Sequence, residues 1–234
     1  MTPPEFSPVG LRFENIEKRY GGLLALRRVS LAIGAGECVV VAGRNGSGKT
    51  TLLRVAARLV RPSTGTLRFT STPGKEEDSS VRPGFVAHAT MVYDELTAEE
   101  NLLLFARLLG VAYAQNRVDV LLHEVGLSDR RASLVRTFSR GMRQRMAIAR
   151  ALLHEPSVLL FDEPATGLDP QGVVWLAEAL RRLRDSGRTI LMSLHGESEI
   201  SSLGTRAIRL EAGAVAADTR TGATFRSILT FADA

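Results

Sequence analysis

The sequence predicts an α/β protein: a sheet buried on both faces with helices between its strands, and an inserted α-helical subdomain. Three observations carry that expectation. Cys38-Val39-Val40-Val41-Ala42 is short, apolar and largely β-branched, as a buried strand is, and it runs directly into Gly43-Arg44-Asn45-Gly46-Ser47-Gly48-Lys49-Thr50-Thr51. Leu52, Leu53, Ala56, Leu59 and Val60 then recur at helical spacing as far as Pro62. Further on, Val158-Leu159-Leu160-Phe161 is an unbroken apolar run closed by Asp162-Glu163-Pro164, and the strand and helix rhythm continues from there. Between these segments, residues 96–149 hold two helical stretches that interrupt a strand-rich pattern, which marks the insertion.

The glycine-rich stretch matches G-x-x-x-x-G-K-[ST], the phosphate-binding P-loop, with the strand before and the helix after that the motif needs. Gly43, Gly46 and Gly48 let the backbone curl so that successive N–H groups, those of Asn45, Ser47 and Thr51 among them, face phosphate oxygens. The helix N-terminus adds its positive end. Lys49 is placed to reach the β- and γ-phosphates and the Thr50 hydroxyl to ligate Mg²⁺. The competing reading is an accidental glycine turn, but with Gly near 7% of residues the pattern arises by chance in about one chain in a hundred. Of thirty basic residues only Lys18, Lys49 and Lys75 are lysines, and one of them stands here. The stretch is a nucleoside triphosphate site on a P-loop NTPase core.

Length and composition bound the rest. At 234 residues the chain makes one large domain, or one domain with an embedded subdomain. The 44% apolar and 24% charged fractions are ordinary for a soluble globular protein. A net charge of +5 fits nucleic acid, acidic lipid or a bound triphosphate alike and separates none of them. The single cysteine, Cys38, cannot form an internal disulfide and reads as a core thiol in a reducing cytoplasm. Residues 1–10 lack the apolar region of a signal peptide, and no apolar run reaches the roughly 18 residues of a membrane span. Any membrane role is therefore expected through a partner.

Taken in order, Leu11-Arg12-Phe13-Glu14 and Val29-Ser30-Leu31-Ala32-Ile33 alternate as half-buried strands. Between them Tyr20 precedes Gly21-Gly22, and by its pattern alone it reads as a packing residue. Gly34 to Glu37 turns the chain into the P-loop strand, and Gly65-Thr66-Leu67-Arg68-Phe69 is a further strand. Thr70 to Gly84, with its Lys75-Glu76-Glu77-Asp78 run, reads as a solvated loop or hairpin tip. Phe85-Val86-Ala87 is another short strand. Thr97 and Glu100 form a capping box that opens a helix to about Leu109, and a second helix runs from Ala114 to about Val125 before Gly126. Arg130, Arg131 and Arg136, part of a longer arginine cluster, read as a solvated face.

From Ser157 the chemistry returns. Two carboxylates closing a buried strand are costly unless a cation meets them, and at the carboxyl edge of a parallel sheet they sit where ligands bind. The alternative is a loop that merely starts with two acids. Asp162 is expected to hold Mg²⁺, and Glu163 to polarise a water for attack on the γ-phosphate. Asp169-Pro170 opens a helix to about Asp185, with Val173, Leu176, Ala177, Leu180 and Leu183 on one face and Trp175 on or beside it. Thr189 to Leu194 is a buried strand that delivers His195 to the same edge, where a functional role is favoured over a structural one. Arg206-Ala207-Ile208-Arg209-Leu210 is expected to close the sheet, with a tail after Gly213 too short for another domain.

Phe138-Ser139-Arg140-Gly141-Met142, followed by Arg143-Gln144-Arg145, resembles the signature motif of the ABC-type ATPases, whose usual form is Leu-Ser-Gly-Gly-Gln. The order also resembles that family from Leu11 to Gly213: an aromatic at Tyr20, the P-loop, the signature, the acid pair, a D-loop from Ala165 to Asp169, and a switch histidine at His195. The resemblance implies a RecA-like P-loop core with an antiparallel β edge at about 11–95 and 150–213, and a helical subdomain at 96–149. It implies that Tyr20 stacks on adenine, in place of the packing role. It implies that Ser139 and Gly141 bind the γ-phosphate of an ATP held by a second ATP-binding subunit, in a homo- or heterodimer. The cofactors implied are ATP and Mg²⁺, and catalysis falls to Glu163 and His195. The expected function is ATP hydrolysis powering transport through separate integral membrane subunits, at the cytoplasmic face of the inner membrane, with no direct nucleic acid partner. A soluble ABC ATPase acting on nucleic acid or ribosomes is the alternative, as is a nucleotide-gated subunit with little turnover.

Two departures from the family pattern stand out. Arg140 and Met142 replace the usual Gly and Gln, and Ser-Arg-Gly-Met-Arg-Gln-Arg is similar to the version in bacterial exporter subunits, particularly the heme-exporter ATPase of cytochrome c maturation. The segment Gly84 to Thr90 falls where the family carries its Q-loop glutamine and contains none. His88 or Ala89 takes that position, depending on a one-residue gap before Leu96-Thr97.

Overall fold

The structure, a computed structural model, describes residues 9–72, 75–77, 81–194 and 200–230. Strands β1 (Gly10–Tyr20), β2 (Leu23–Ile33), β4 (Thr64–Thr72) and β5 (Lys75–Glu77) form an antiparallel sheet in the order β2-β1-β4-β5. A second sheet joins β3 (Cys38–Ala42), β6 (Gly84–Val86), β7 (Val158–Asp162), β8 (Thr189–Ser193), β9 (Arg206–Glu211) and β10 (Ala214–Asp218) in the order β10-β9-β3-β8-β7-β6. Every pairing in it is parallel except β10 with β9. The helices are α1 (Lys49–Ala56), α2 (Ala98–Leu109), α3 (Ala114–Glu124), α4 (Arg140–Leu152), α5 (Pro170–Asp185) and the short α6 (Phe225–Leu229).

Alternation along the central strands divides the core in two. Cys38, Val40, Ala42, Leu159, Phe161, Ile190 and Met192 face one way and pack with α2, α3, α4, α5 and α6. Val39, Val41, Val158, Leu160 and Leu191 face the other way, onto α1 and the antiparallel sheet. A sheet covered on both sides needs apolar residues at every position, which is why these strands lack the polar alternation of β1 and β2. Cys38 belongs to this core. Burial pushes its thiol up to about 12, slightly offset by Arg184, so it packs as a small apolar group and is not a nucleophile.

The helix caps follow from local chemistry. The Thr97 hydroxyl accepts from the Glu100 amide while the Glu100 carboxylate accepts from the Thr97 amide, and Gly110 ends α2 in a left-handed turn. Asp169 caps α5 through the Gly172 amide at 2.7 Å, with Pro170 at the first helical position. In α5 Leu176, Ala177 and Leu180 are buried, and Trp175 packs at the edge of the core with the Arg145 guanidinium 4.5 Å from its ring centre.

Several expectations are corrected. The apolar spacing to Pro62 predicts a helix longer than α1. Arg58 takes a left-handed φ of 58°, the Leu59 and Val60 amides turn back onto the Arg54 carbonyl, and Leu59 ends up exposed. Strands β1 and β2 run well beyond their alternating stretches, because register shifts between Phe13 and Arg19 break the period of two. The Arg206 strand does not close the sheet; the tail supplies β10 at its edge and α6 against β9. Arg131 is not only solvated: its guanidinium bonds Glu99 on α2 and Asp119 on α3, the latter at 2.8 Å. Arg136 remains exposed, 3.6 Å from Glu95.

Arg206 fastens the two sheets together. Its guanidinium donates to Asp218 on β10 through two nitrogens, Nε at 2.9 Å, and to the Ala32 carbonyl on β2 at 2.7 Å. Burial alone would raise the Asp218 carboxyl, but the Arg206 hydrogen bonds, the Arg220 amide and both guanidinium charges hold it below its ordinary 3.8. Because the folded value is depressed, the pair's stabilisation is complete above that pH and is lost as pH falls through the lower, folded value. Asp218→Asn is expected to lower unfolding free energy by about 3 kcal/mol at neutral pH, since it leaves a buried guanidinium short of its carboxylate. Urea unfolding at pH 7 and pH 3 measures this; the gap between parent and variant should narrow at the lower pH.

Candidate functional site

The loop between β3 and α1 is wound too tightly for side chains at two of its glycines. A Cβ on Gly43, at φ 148°, would lie 2.4 Å from the Leu210 carbonyl oxygen and 2.5 Å from Ser47 Oγ. One on Gly48, at φ 106°, would lie 2.7 Å from the Ala25 carbonyl oxygen. The loop is thereby pressed against β2 on one side and the β9–β10 turn on the other. The Gly213 amide donates to the Ser47 carbonyl at 3.1 Å, and the Arg27 amide to the Gly213 carbonyl at 2.7 Å.

Lys49 opens α1 with its side chain only 5% exposed. Its ammonium donates to the carbonyls of Gly43 at 2.7 Å and Arg44 at 3.3 Å, and Glu163 Oε1 stands 3.7 Å away. Beside it Thr50 Oγ1 donates to Asp162 Oδ1 at 3.1 Å. The same carboxylate oxygen accepts from Ser193 Oγ at 2.8 Å, because parallel pairing sets Ser193 on β8 opposite Asp162 on β7. The Glu163 amide donates to Ser193 Oγ at 2.9 Å and to its carbonyl at 3.2 Å, which holds Glu163 at a φ of 49°, an uncommon conformation for this residue.

These groups border two cavities. One, of about 530 Å³, lies between Tyr20, Ala25 and Arg27 on the antiparallel sheet and the loop from Asn45 to Thr51, with Glu163 at its end. Tyr20 is 43% exposed and lines this space, so the packing role read from its pattern is replaced by a wall position. The second, of about 660 Å³, is bounded by Thr50, Asp162 and Glu163 together with His88, Ala89 and Met91. Both candidates for the missing glutamine therefore sit beside the acid pair. Ser139 caps α4, accepting from the Met142 amide at 3.3 Å, and with Gly141 in the first turn it lies off both cavities. His195 lies outside the described residues.

The chemistry of these two cavities, which share Thr50 and Glu163, fits a Mg²⁺-bound triphosphate. The curled backbone is an anion nest, and the buried Lys49 ammonium, donating to two carbonyl oxygens with Glu163 at 3.7 Å, brings a cation to it. Ser47 Oγ, in the same loop, is buried without a hydrogen-bond partner among the described residues. Thr50 and Asp162 supply two hard oxygen donors. Among the described residues no three His, Cys, Asp or Glu side chains converge as a metal cage.

Two contributors escaped the sequence reading. Ser193, which links both acids, is the hydroxyl that ends β8 after the apolar Ile190-Leu191-Met192, and that was its available signal. Asn101 is fully buried on α2; its side-chain amide accepts from the Tyr93 amide at 2.7 Å and donates to the Tyr93 carbonyl at 2.9 Å. It thereby fixes the segment that follows His88 and Ala89.

Comparison with known proteins bears on the same residues. The ABC transporter family profile matches residues 26–166, more than half of the chain. The ABC transporter ATP-binding protein NatA of Bacillus subtilis is 39% identical over 196 residues, covering 82% of this chain and 80% of its own length. The Nod factor export ATP-binding protein I of Burkholderia orbicola is 37% identical, covering 86% of this chain and 67% of its own. The daunorubicin resistance ATP-binding protein DrrA3 of Streptomyces coeruleorubidus is 38% identical, with 88% and 66% covered. Among solved structures, the dimeric ATP-binding cassette MJ0796 in a post-hydrolysis state, bound to ADP and Pi, superposes with a TM-score of 0.78 at 27% identity. That match covers 89% of this chain and 97% of the cassette.

Removing the shared hydroxyl tests the geometry around both acids. Ser193→Ala should cost about 1–3 kcal/mol of stability, because the buried Asp162 oxygen and the part-buried Glu163 amide each lose a partner. It should also raise the Mg²⁺ concentration that half-saturates nucleotide binding. Thermal unfolding and a Mg²⁺ titration with a fluorescent ATP analogue measure the two effects separately.

Proposed function

The chain belongs to the ABC transporter family as an ATP-binding, ATP-hydrolysing subunit, and from that premise we propose that it powers export through separate integral membrane subunits. The observation that carries the catalytic reading is the approach of Lys49 and Glu163 to 3.7 Å over the P-loop, with the Thr50–Asp162 hydrogen bond beside them. Lys49 exchanges backbone carbonyls for the β- and γ-phosphate oxygens. Thr50 and Asp162 would hold Mg²⁺, which would supply positive charge against the phosphates when bound. Glu163 takes a proton from the attacking water as the new P–O bond forms and the bond to the β-phosphate oxygen breaks. Tyr20 supplies a face for adenine, and His195 takes the role of the switch histidine by resemblance alone.

Ser139 and Gly141 stand at the N-terminus of α4, a place suited to an anion but removed from the chain's own P-loop cavity. A second ATP-binding subunit brings a P-loop to them, and residues 96–149 are read as the subdomain that carries them. No helix among the described residues is long and apolar enough to cross a membrane, so attachment at the cytoplasmic face of the inner membrane is assigned to partner subunits. The export direction is supported by relatives named for Nod factor export and daunorubicin resistance. The narrower reading, heme export in cytochrome c maturation, rests on the phrase from Ser139 to Arg145 alone. A nucleotide-gated subunit with little turnover is favoured by one observation, the absence of a glutamine beside Asp162 where His88 and Ala89 stand. Copurification of the membrane partner, with its bound cargo identified, separates the export readings.

Glu163→Gln should keep ATP binding and lower phosphate release by roughly 10²–10⁴-fold. It should also accumulate an ATP-bound dimer on size exclusion; parent-like turnover would remove Glu163 from the chemistry. Ser139→Arg should bind ATP as a monomer yet neither dimerise nor turn over, while Lys49→Ala should lose nucleotide affinity. Mixing those two variants restores one intact composite site, so ATP-dependent pairing should return, measured by light scattering. No recovery would mean that the signature does not act across a dimer.

A further inference from the structure

Arg140, which takes the place of the usual signature glycine, has its guanidinium seated directly on Gly167. A Cβ built on Gly167 would lie 2.6 Å from Arg140 Cζ and Nε and 3.0 Å from Nη1, and Gly167 holds a φ of 70°. The guanidinium has no ion pair or hydrogen bond among the described residues, so this contact is what places it. Helix stability does not explain an arginine here, because a cation in the first turn opposes the positive end of the helix. The loop under it is a chain of fixed turns. The Leu168 amide donates to the Ala165 carbonyl at 3.1 Å, the Thr166 amide to the Glu163 carbonyl at 3.2 Å, and Asp169 is tied down as the α5 cap. Glu163 at the head of the loop is held by Ser193. The other signature departure, Met142, packs against the same apolar cluster as Ala165 and Leu168.

We propose that Arg140 is a positioning residue for hydrolysis: stacked on Gly167, it transmits the placement of the signature turn to Glu163 of the same chain. The proposal rests on the ATPase reading above and adds to it an intramolecular link. The planar face of the guanidinium is the working part, with its charge secondary, and Gly167 is required because a side chain there would displace it. The displaced group is the tip of a flexible side chain, so a substitution at Gly167 unseats Arg140 without breaking the backbone. Asparagine is the suitable probe, since it tolerates a positive φ and still carries a Cβ.

The variants are Arg140→Ala, Arg140→Lys, Gly167→Asn and the Arg140→Ala/Gly167→Asn pair, with Arg136→Ala as an exposed arginine control. Steady-state ATPase assays should show kcat lowered about 3–30-fold in Arg140→Ala and Gly167→Asn, the range of a coupling carried through packed residues. KM for ATP should stay within about twofold, because uniform binding is untouched. The pair should be no worse than the poorer single variant, and lysine should not rescue, since it keeps the charge but not the plane. If Arg140 instead contacts the nucleotide of a facing subunit, KM and dimerisation weaken, lysine partly rescues, and the two substitutions add; that result overturns the proposal. So does an Arg140→Ala enzyme with parent kinetics. Hydrogen exchange on the nucleotide-free protein gives an answer independent of turnover. The Thr166 and Leu168 amides should exchange several-fold faster in Arg140→Ala and Gly167→Asn but not in Arg136→Ala, and unchanged exchange refutes the link. A parent that shows no phosphate release would count against the ATPase reading, while the exchange comparison still decides the fate of Arg140.

Discussion

One carboxylate oxygen joins the parts of this protein that must not move relative to each other. Asp162 Oδ1, buried at the end of β7, accepts from Thr50 on α1 and from Ser193 on β8. A buried carboxylate without partners would be expensive, and these two hydroxyls share the cost of keeping it there. The same Ser193 hydroxyl receives the Glu163 amide, so the residue after the carboxylate is turned outward toward Lys49. Position of the acid pair, the first turn of α1 and the edge of the sheet are thus settled by one small network.

The antiparallel sheet matters because it supplies the other wall. Gly48 is pressed so close to the Ala25 carbonyl that a methyl group would not fit, and Tyr20 closes the far end of the cavity. The sheet itself is held to the parallel one by Arg206, which reaches Asp218 on β10 and the Ala32 carbonyl on β2 at once. The tail after Gly213 therefore contributes to the site indirectly, by keeping the wall at its distance.

Arginine does most of the joining elsewhere. Arg131 bridges α2 and α3, Arg143 pairs with Asp94, and Arg150 donates to the Phe85 carbonyl at 2.9 Å while lying over the Phe105 ring. Burial without a carboxylate lowers the Arg150 guanidinium, yet the group keeps both a carbonyl and an aromatic face. Lysine, a more compact and more strongly hydrated charge, is used at the P-loop, where a point charge must reach phosphate oxygens. The choice of cation follows the geometry each place demands.

The sequence by itself determined the local features. Strands β3, β7 and β8 were legible as apolar runs, the caps at Thr97 and Asp169 as side-chain patterns, and the P-loop as a spacing, because each is set by neighbours within a few residues. What it could not decide involved distant partners. The end of α1 before Leu59 depends on a left-handed turn at Arg58, whose guanidinium lies over Phe69. The full length of β1 was hidden because its bulges break the alternation. Ser193 became legible as part of the site only once pairing set it opposite Asp162. Arg140, read from the sequence as a departure from a motif, acquired a partner only when the fold brought Gly167 beneath it. Short-range chemistry is written in the order of residues, whereas a shared oxygen, a wall and a stacked guanidinium exist only after the chain has closed on itself.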